Sequence, residues 1–164
     1  MASGDLLLVF TAPHNDPPTS AQATFDLRNG HPVLDFDDTT LENAIFAGVL
    51  PRNYAGGGLT VTIIWLAPSA VAGTVRWPGE WERHQDDVDD LDADSFAAAQ
   101  GVSAVTASLA GETSYDVILF TAGAQMDSLA VGESFRFRVA RTPAHADDNL
   151  VGDAELLRVE VRET

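Results

Sequence analysis

Apolar and polar side chains alternate along most of this chain with a period of two residues, which is the pattern of half-buried β-strands. In one clear example, Phe135, Phe137 and Val139 alternate with Arg136 and Arg138. Similar alternation or short apolar runs occur at 6–10, 23–28, 31–36, 44–50, 59–67, 73–83, 115–120 and 157–162. The pattern therefore predicts about nine short strands.

Turn-forming residues separate these segments. Asn29-Gly30 is a strong signal for a β-hairpin, because both residue types tolerate the positive φ angles of a type I′ turn. Pro51 ends the strand before it, since proline cannot donate a ladder hydrogen bond. Pro78 lies inside an otherwise regular segment, so we expect that segment to be an edge strand or to contain a bulge.

One segment is ambiguous. Residues 94–109 contain Ala97-Ala98-Ala99, which favours helix. Gly101 and Val105 in the same segment favour strand. We expect mainly strand here, with one helical turn near Phe96.

The fold class follows from this set of elements. Short strands joined by Gly-, Pro- and Asp-rich turns predict an all-β sandwich or barrel. The connections are long enough for Greek-key crossings, which favours a jelly-roll β-sandwich of about eight to ten strands. A length of 164 residues predicts one domain, and no repeat of a propeller or solenoid is present. We therefore expect a single jelly-roll domain over residues 1–164.

Composition narrows the possible partners. The chain is 45% hydrophobic, which supports a real core, and it contains no cysteine. It has 25 acidic and 9 basic residues, for a net charge of −16. This charge repels phosphate backbones and anionic lipid, so we predict neither nucleic-acid binding nor membrane binding.

The first residues predict a strand and not a targeting signal. The apolar run that starts at Leu6 is short, follows Asp5 and lacks a basic flank. No stretch approaches the roughly 18 apolar residues that a membrane helix needs. Pro13, Pro17 and Pro18 then predict a stiff connection. We expect residues 1–20 to form an extended N-terminal arm, and the protein to be made in the cytoplasm of its host.

The acidic run from Asp86 to Asp94 is the obvious candidate for a metal site, because calcium prefers oxygen ligands. It lacks the glycine of an EF-hand loop, and Gly101 stands where that loop has its closing glutamate. A solvated, self-repelling loop at one end of the sandwich is the better interpretation. The histidines lack the spacing of a cupin metal site: His14, His31, His84 and His145. We predict no metal site and no metal cofactor.

Catalytic chemistry also lacks support. The sequence has no Gly-x-Ser-x-Gly motif and no thiol, and its many carboxylates single out no acid–base pair. Gly56-Gly57-Gly58 lacks the lysine and the following helix of a phosphate-binding loop. We therefore predict no catalytic or cofactor-binding residue, and a protein that is not an enzyme.

Two features of the apolar strands leave alternatives open. Trp77 and Trp81 share the parity of Val75, which favours the core, although aromatic pairs on sandwich modules also serve as platforms for sugar rings. The segment Ile63–Leu66 is apolar on both faces. Such a strand lies either in the middle of a sandwich or against another subunit.

An ordered series of segments resembles a group of tailed-bacteriophage structural proteins. The segments cover most of the chain after residue 35, and their order is more specific than any one of them. They are 48–54, 57–65, 73–77, 82–83, 92–97, 132–141, 152–156 and 161–163.

The resemblance implies a jelly-roll capsid decoration (cement) protein without catalytic residues. Such a protein binds the outer surface of the major capsid protein lattice as a homotrimer and stabilises the shell, so the expected location is the virion. We predict subunit or capsid contacts at six positions: Ile63, Trp65, Pro51, Arg52, Asn53 and Tyr54.

Tail fibres and receptor-binding tips use the same fold, which leaves an alternative. In that case the chain is a receptor-binding or carbohydrate-binding jelly-roll module of a phage tail or fibre. Its aromatic contacts would then be Trp77, Trp81 and Tyr54.

Overall fold

The chain folds as two antiparallel β-sheets packed face to face, which confirms the predicted all-β sandwich. The computed structural model describes residues 4–69 and 72–164. The larger sheet contains β1 (Leu6–Thr11), β2 (Thr24–Arg28), β3 (His31–Phe36), β5 (Leu59–Leu66), β8 (Thr113–Phe120) and β10 (Ala154–Glu163). The smaller sheet contains β4 (Glu42–Val49), β6 (Thr74–His84), β7 (Gln100–Val105) and β9 (Ser134–Arg141). Within the described residues, the helical elements are two 3₁₀ turns, at Ala12–His14 and Ala124–Met126.

Strands that are neighbours in each sheet are mostly distant in sequence. The order is β2-β3-β10-β5-β8 in the larger sheet and β4-β9-β6-β7 in the smaller one. Strand β10 organises the larger sheet, because β5 pairs along one of its edges and two strands share the other. On that shared edge Leu156 pairs with Leu34 of β3, and Val159 pairs with Phe10 of β1. The register of β10 against β5 shifts between Leu156 and Arg158, which places a bulge at Leu157.

Aromatic side chains fill the space between the sheets. Trp77 and Trp81 are both 0% exposed, which confirms that they belong to the core. The Trp77 ring meets Phe36 edge-on, with centroids 5.1 Å apart, and the Trp81 ring lies 4.6 Å from Phe137. These separations are typical of favourable aromatic pairs. The strict alternation along β6 and β9 thus directs one face of each strand into a shared aromatic core.

The predicted hairpin at Asn29-Gly30 is confirmed. Both residues have positive φ angles, 47° and 80°, as a type I′ turn requires. Arg28 and His31 form the closing pair of the two strands.

Pro78 lies in β6, which is flanked by β9 and β7, so the prediction of an edge strand is wrong. Pairing with β9 begins at Gly79, whereas pairing with β7 continues through Pro78 opposite Gly101. The β9 ladder is thus interrupted at Pro78, where the missing N–H costs no ladder bond, and beyond it the N–H of Thr142 donates to the carbonyl of Arg76.

The ambiguous segment 94–109 is strand only at Gln100–Val105. Strand β7 begins at Gln100, and the predicted helical turn near Phe96 is absent from these described residues. The segment before β7 follows β6 instead, because the N–H of Ala97 donates a 2.8 Å hydrogen bond to the carbonyl of Trp81. Tertiary pairing therefore overrides the helix preference of the alanine run.

The N-terminal segment packs on its own sandwich. Leu6–Thr11 is a strand of the larger sheet, and the buried Phe10 ring stacks on Phe46 with centroids 5.3 Å apart. Asn15 then bridges to Phe46. Residues 4–20 thus do not extend away as an arm, and residues 1–3 lie outside the described residues.

Strand β5 is apolar on both faces because it lies in the middle of the larger sheet, which was one of the two predicted alternatives. Ile63 and Trp65 point into the core and are 0% exposed. Ile64 and Leu66 point outward and are nevertheless buried. Ile63 and Trp65, which were predicted to contact another subunit or the capsid, therefore offer no surface to a second chain.

Candidate ligand-binding groove

The outer face of the smaller sheet carries a patterned set of polar side chains. Strand alternation directs Glu80, Glu82 and His84 of β6 outward, because Trp81 between them points into the core. On β9 the same alternation directs Ser134, Arg136 and Arg138 to this face, directly opposite them in register. We call this surface, together with Ile45 of β4, the sheet groove.

Two ion pairs form its floor. Arg138 Nε lies 2.5 Å from Glu80 Oε2, and Arg136 Nη2 lies 2.5 Å from Glu82 Oε2. The Glu82 side chain is 1% exposed, so its charge needs this partner to remain buried at tolerable cost. Cross-strand pairs of opposite charge also favour the observed register of β6 against β9.

The Phe96 ring lies over these guanidinium groups. Its centroid is 4.2 Å from Arg138 Cζ and 5.3 Å from Arg136 Cζ, within the range of cation–π attraction. The backbone bond from Ala97 to Trp81 fixes the chain beside β6 and so places the ring. Phe96 is half-buried, and it is the aromatic side chain of this face.

Three separate cavities lie along this face. One of ≈ 620 Å³ lies at the His84 end, where the 85–91 loop and Glu133 surround it. One of ≈ 390 Å³ lies between Arg136, Ile45 and the 16–19 segment. The third, of ≈ 320 Å³, lies at the opposite end beside Arg138. The 16–19 segment thus forms one wall of the groove.

His84 and Ser134 supply hydrogen-bonding atoms at one end. His84 Nδ1 lies 3.0 Å from Ser134 Oγ, and His84 Nε2 lies 3.6 Å from Glu82 Oε1. A hydroxyl beside an imidazole is the arrangement of an activated nucleophile. Here, however, the carboxylate is engaged by Arg136 and stands beyond hydrogen-bond reach of the ring. His84 Nε2 is itself buried, so the pair contributes to the groove as part of the cavity lining at this end.

The acidic loop borders the same end. Asp86, Asp87, Asp90 and Asp92 are exposed, which confirms the predicted solvated loop. Asp89 differs, because the N–H of Gln85 and the Arg83 guanidinium both donate to it. Both bonds lower the pKa of the Asp89 carboxyl, and the bond from Gln85 contributes most.

A different acidic group was missed by sequence reasoning. Carboxylate oxygens of Asp37, Asp38 and Asp153 lie within 4.8 Å of one another. Asp37 accepts hydrogen bonds from the Thr39 hydroxyl and from the N–H groups of Thr39 and Thr40, which lower the pKa of its carboxyl, and Asp38 accepts one from the N–H of Gly152. These local bonds account for the placement of two of the three side chains, so we assign no ion to the group.

The remaining predicted site residues lie at the surface or below it. Arg52 and Asn53 are exposed and Pro51 is half-buried, in the turn after β4. Tyr54 is buried and donates its hydroxyl hydrogen to the carbonyl of Gly57, and burial raises the pKa of that hydroxyl. A contact of this turn with another chain stays a prediction.

The aromatic contacts predicted for a carbohydrate-binding module are wrong in detail. Trp77, Trp81 and Tyr54 are all buried, so none of them can stack on a ligand. The half-buried Phe96 is the aromatic side chain of the sheet groove instead. Sequence alternation could not identify it, because Phe96 lies outside the strands.

Solved structures with the same fold are carbohydrate-binding modules and a glycosidase. The CBM22-1 xylan-binding domain of Xyn10C from Paenibacillus barcinonensis superposes with a TM-score of 0.51 at 10% identity, over 99% of this chain and 96% of that one. The family 11 carbohydrate-binding module from Clostridium thermocellum gives 0.51 at 8% identity, over 100% and 98%. The family GH115 4-O-methyl-α-glucuronidase BtGH115A gives 0.54 at 11% identity, and the chain spans 18% of that protein.

This chain shares their β-sandwich fold. No protein-family model matches the sequence, and no curated protein is significantly similar to it. Within the part of the chain that the structure describes, no helix has the length and apolarity to cross a membrane.

These likenesses correct the expectation drawn from the phage resemblance. These three structures are two carbohydrate-binding modules and a glycosidase, and none of them is a phage capsid protein. The resemblance rested on strand and turn segments, which unrelated sandwiches share because the same pleat and turn chemistry recur in all of them. The alternative prediction of a carbohydrate-binding module is better supported. Neither the comparisons nor the structure test the predicted homotrimer or the predicted location on the virion.

Proposed function

We propose that this chain is a non-catalytic carbohydrate-binding module that holds a polysaccharide along the sheet groove. The observation that carries the proposal is the Phe96 ring lying over Arg136 and Arg138, two arginines that each line a cavity on the same face of the sheet. The likeness to the CBM22 and family 11 modules over nearly their whole length supports the same conclusion.

The shape of the groove suits a chain more than a small molecule. Its cavities follow β9 from Ser134 to Thr142. Eight residue steps of a strand span about 26 Å at 3.3 Å per residue. Several sugar rings in a row therefore fit along it, whereas a site for a small ligand is usually one enclosed cavity.

The chemistry of the floor suits sugar hydroxyls. A guanidinium donates several hydrogen bonds in a fixed plane, and a carboxylate accepts them, so a partly exposed Arg–Glu pair can serve both roles of a hydroxyl. Glu80 and Arg138 form such a pair, and Arg136 beside them adds an exposed donor, whereas its own partner Glu82 is buried. The Phe96 ring adds an apolar surface against which the flat face of a sugar can pack.

The electrostatics favour an uncharged polysaccharide. The chain carries a net charge of −16, which repels polyuronates at a distance. The groove floor itself is neutralised by its ion pairs. The two similar modules are described as a xylan-binding domain and as a complex with a β-1,3-1,4-mixed-linked tetrasaccharide. Xylan and mixed-linked β-glucan are therefore the first candidates for this chain.

Affinity gel electrophoresis tests the proposal directly. The purified chain is run in gels that contain xylan, mixed-linked β-glucan or polygalacturonate, and retardation is measured against polymer concentration. We expect retardation by at least one neutral polymer and none by polygalacturonate. Phe96→Ala should weaken binding about tenfold, since loss of an aromatic anchor costs over 1 kcal/mol.

Phe25→Ala is the matched control, because Phe25 is 53% exposed on β2, away from the groove. This variant should bind like the unaltered chain. Absence of retardation by every neutral polymer, or equal losses in both variants, would contradict the proposal.

A further inference from the structure

A second depression lies on the opposite side of the sandwich, on the outer face of the larger sheet. Its volume is ≈ 400 Å³. We call it the hairpin cleft, and its lining comprises Arg28, Asn29, His31, Val33, Leu66, Gly111, Thr113 and Leu157. It shares no lining residue with the sheet groove.

The cleft exists because the β2–β3 hairpin parts from β10. Strand β3 pairs with β10 only as far as Leu34 opposite Leu156, and the bulge at Leu157 follows. The hairpin tip then bends over the sheet. Arg28 at this tip reaches Glu155 of β10, with Nη1 3.0 Å from Oε1.

The far wall is the turn before β8. A Cβ added to Gly111 would lie 3.2 Å from Arg28 Nη2, a tight contact that the guanidinium would relieve by moving a few tenths of an ångström. The φ of +77° at Gly111 independently favours glycine. Two elements distant in sequence thus hold one side chain across the cleft.

The floor of the cleft is apolar and its rim is polar. Leu157 is half-buried and provides the accessible part of this floor, while Val33 and Leu66 beneath it point outward from their strands and are 0% and 5% exposed. Arg28, Asn29 and Thr113 supply N–H and O–H donors at the rim. An apolar floor with a few convergent polar groups is the common form of a small-ligand site.

From this arrangement we infer that the hairpin cleft is a second saccharide site, which holds one neutral sugar ring. The inference rests on the proposed carbohydrate-binding function but concerns a different surface. A volume near the lower end of the range for ligand pockets fits one ring and not a chain. The ion pair with Glu155 neutralises Arg28, so the cleft offers donors to hydroxyl oxygens without excess positive charge for a carboxylate.

NMR titration of the ¹⁵N-labelled chain tests this site. The probes are xylose, glucose and galactose as neutral monosaccharides and glucuronate as the acidic one. We expect a neutral monosaccharide to shift the amide signals of Asn29, His31 and Gly111. Glucuronate should bind at least about tenfold more weakly.

Two matched variants locate the site. Thr113→Tyr places a larger side chain in the mouth of the cleft, and we expect it to weaken monosaccharide binding at least about tenfold. Val117→Tyr lies on the same strand and the same outward face beyond the cleft, so it should change nothing. Both positions are exposed, which favours normal folding of each variant.

The outcomes separate the two proposals. If no monosaccharide shifts the cleft amides, or if Thr113→Tyr leaves those shifts unaltered, the cleft inference is wrong, whatever the polymers do. Polymer binding that is lost in Phe96→Ala and retained in Thr113→Tyr supports the sheet groove independently. Monosaccharide shifts that persist in Phe96→Ala support the cleft as a separate site.

Discussion

Arg141 and Asp148 form an ion pair in which both side chains are almost completely buried, at 0% and 2% exposure, with Nη2 and Oδ1 2.9 Å apart. The guanidinium also donates to the carbonyl oxygens of Phe36, Leu150 and Gly152. Together with Nε to Asp148, each of its N–H groups has an acceptor. Arg141 therefore joins the end of β9 to the end of β3 and to the loop that leads into β10.

Replacing Asp148 by alanine should strongly destabilise the fold. The change leaves a buried guanidinium without its counter-charge, which typically costs about 3–5 kcal/mol. Urea unfolding followed by tryptophan fluorescence measures the free energy of unfolding. Asp147→Ala is the control, since that side chain is 56% exposed, and it should change the value by about 0.5 kcal/mol or less. Equal effects of the two substitutions would contradict the structural role of the Arg141 ion pair.

Gly79→Ala tests the packing beneath the sheet groove. An added Cβ would lie 2.8 Å from Phe137 Cζ and 3.2 Å from Phe120 Cζ, so aromatic rings in the core must move. Overpacking of this kind usually costs about 1–3 kcal/mol. Gly57→Ala provides the contrast, because nothing lies within 4 Å of its added Cβ. We expect its stability to stay within about 1 kcal/mol of the unaltered chain. If Gly79→Ala left the free energy of unfolding unchanged, the core would be looser than described.

The protonated Asp35 carboxyl should make the fold more stable in mild acid than at neutral pH. Burial first, and then the neighbouring carboxylate of Glu155, raise the pKa of the Asp35 carboxyl from 3.8 to about 6. The folded chain therefore holds this proton more tightly than the unfolded chain. The resulting stabilisation is complete below about pH 3.8 and is lost as the pH rises through about 6. Carboxyl ¹³C NMR should show a titration midpoint for Asp35 near that upper value.

Asp35→Asn should make the melting temperature less dependent on pH between 4 and 7. The change should come chiefly from a higher melting temperature near pH 7. Part of the dependence should persist, because burial also raises the pKa of Glu155 and of Glu42. Asp86→Asn in the exposed loop is the control and should leave the profile unchanged. A profile that Asp35→Asn does not alter would contradict the assignment.

Local pattern alone predicted most of the fold. Alternation in β6 and β9 identified which side chains enter the core, and Asn29-Gly30 identified the hairpin, because both signals act within a few residues. The strand partners of Pro78 could not be predicted in this way, since both β7 and β9 come from segments more than twenty residues further along the chain.

The two candidate sites depend on contacts between distant segments. Glu82 and Arg136 are 54 residues apart in sequence, and only the register of β6 on β9 brings them together. Phe96 lies between strands, where no periodicity marks it. The hairpin cleft depends on a bulge at Leu157 and on Gly111, two local irregularities that a pattern of apolar residues does not reveal.

The loop from Asp86 to Asp94 should bind no structural calcium. Most of its carboxylates are exposed, where mutual repulsion costs only a few tenths of a kcal/mol per pair, by analogy with exposed pairs of opposite sign. Asp89 is engaged by Arg83 and by the N–H of Gln85, so it is not available to gather an ion. Melting curves in EDTA and in millimolar calcium should therefore coincide. A shift of several degrees that is lost in an Asp86→Asn/Asp87→Asn double variant would show that the loop is a calcium site. A shift that the double variant retains, and that Asp38→Asn removes, would place the ion at the carboxylates of Asp37, Asp38 and Asp153 instead.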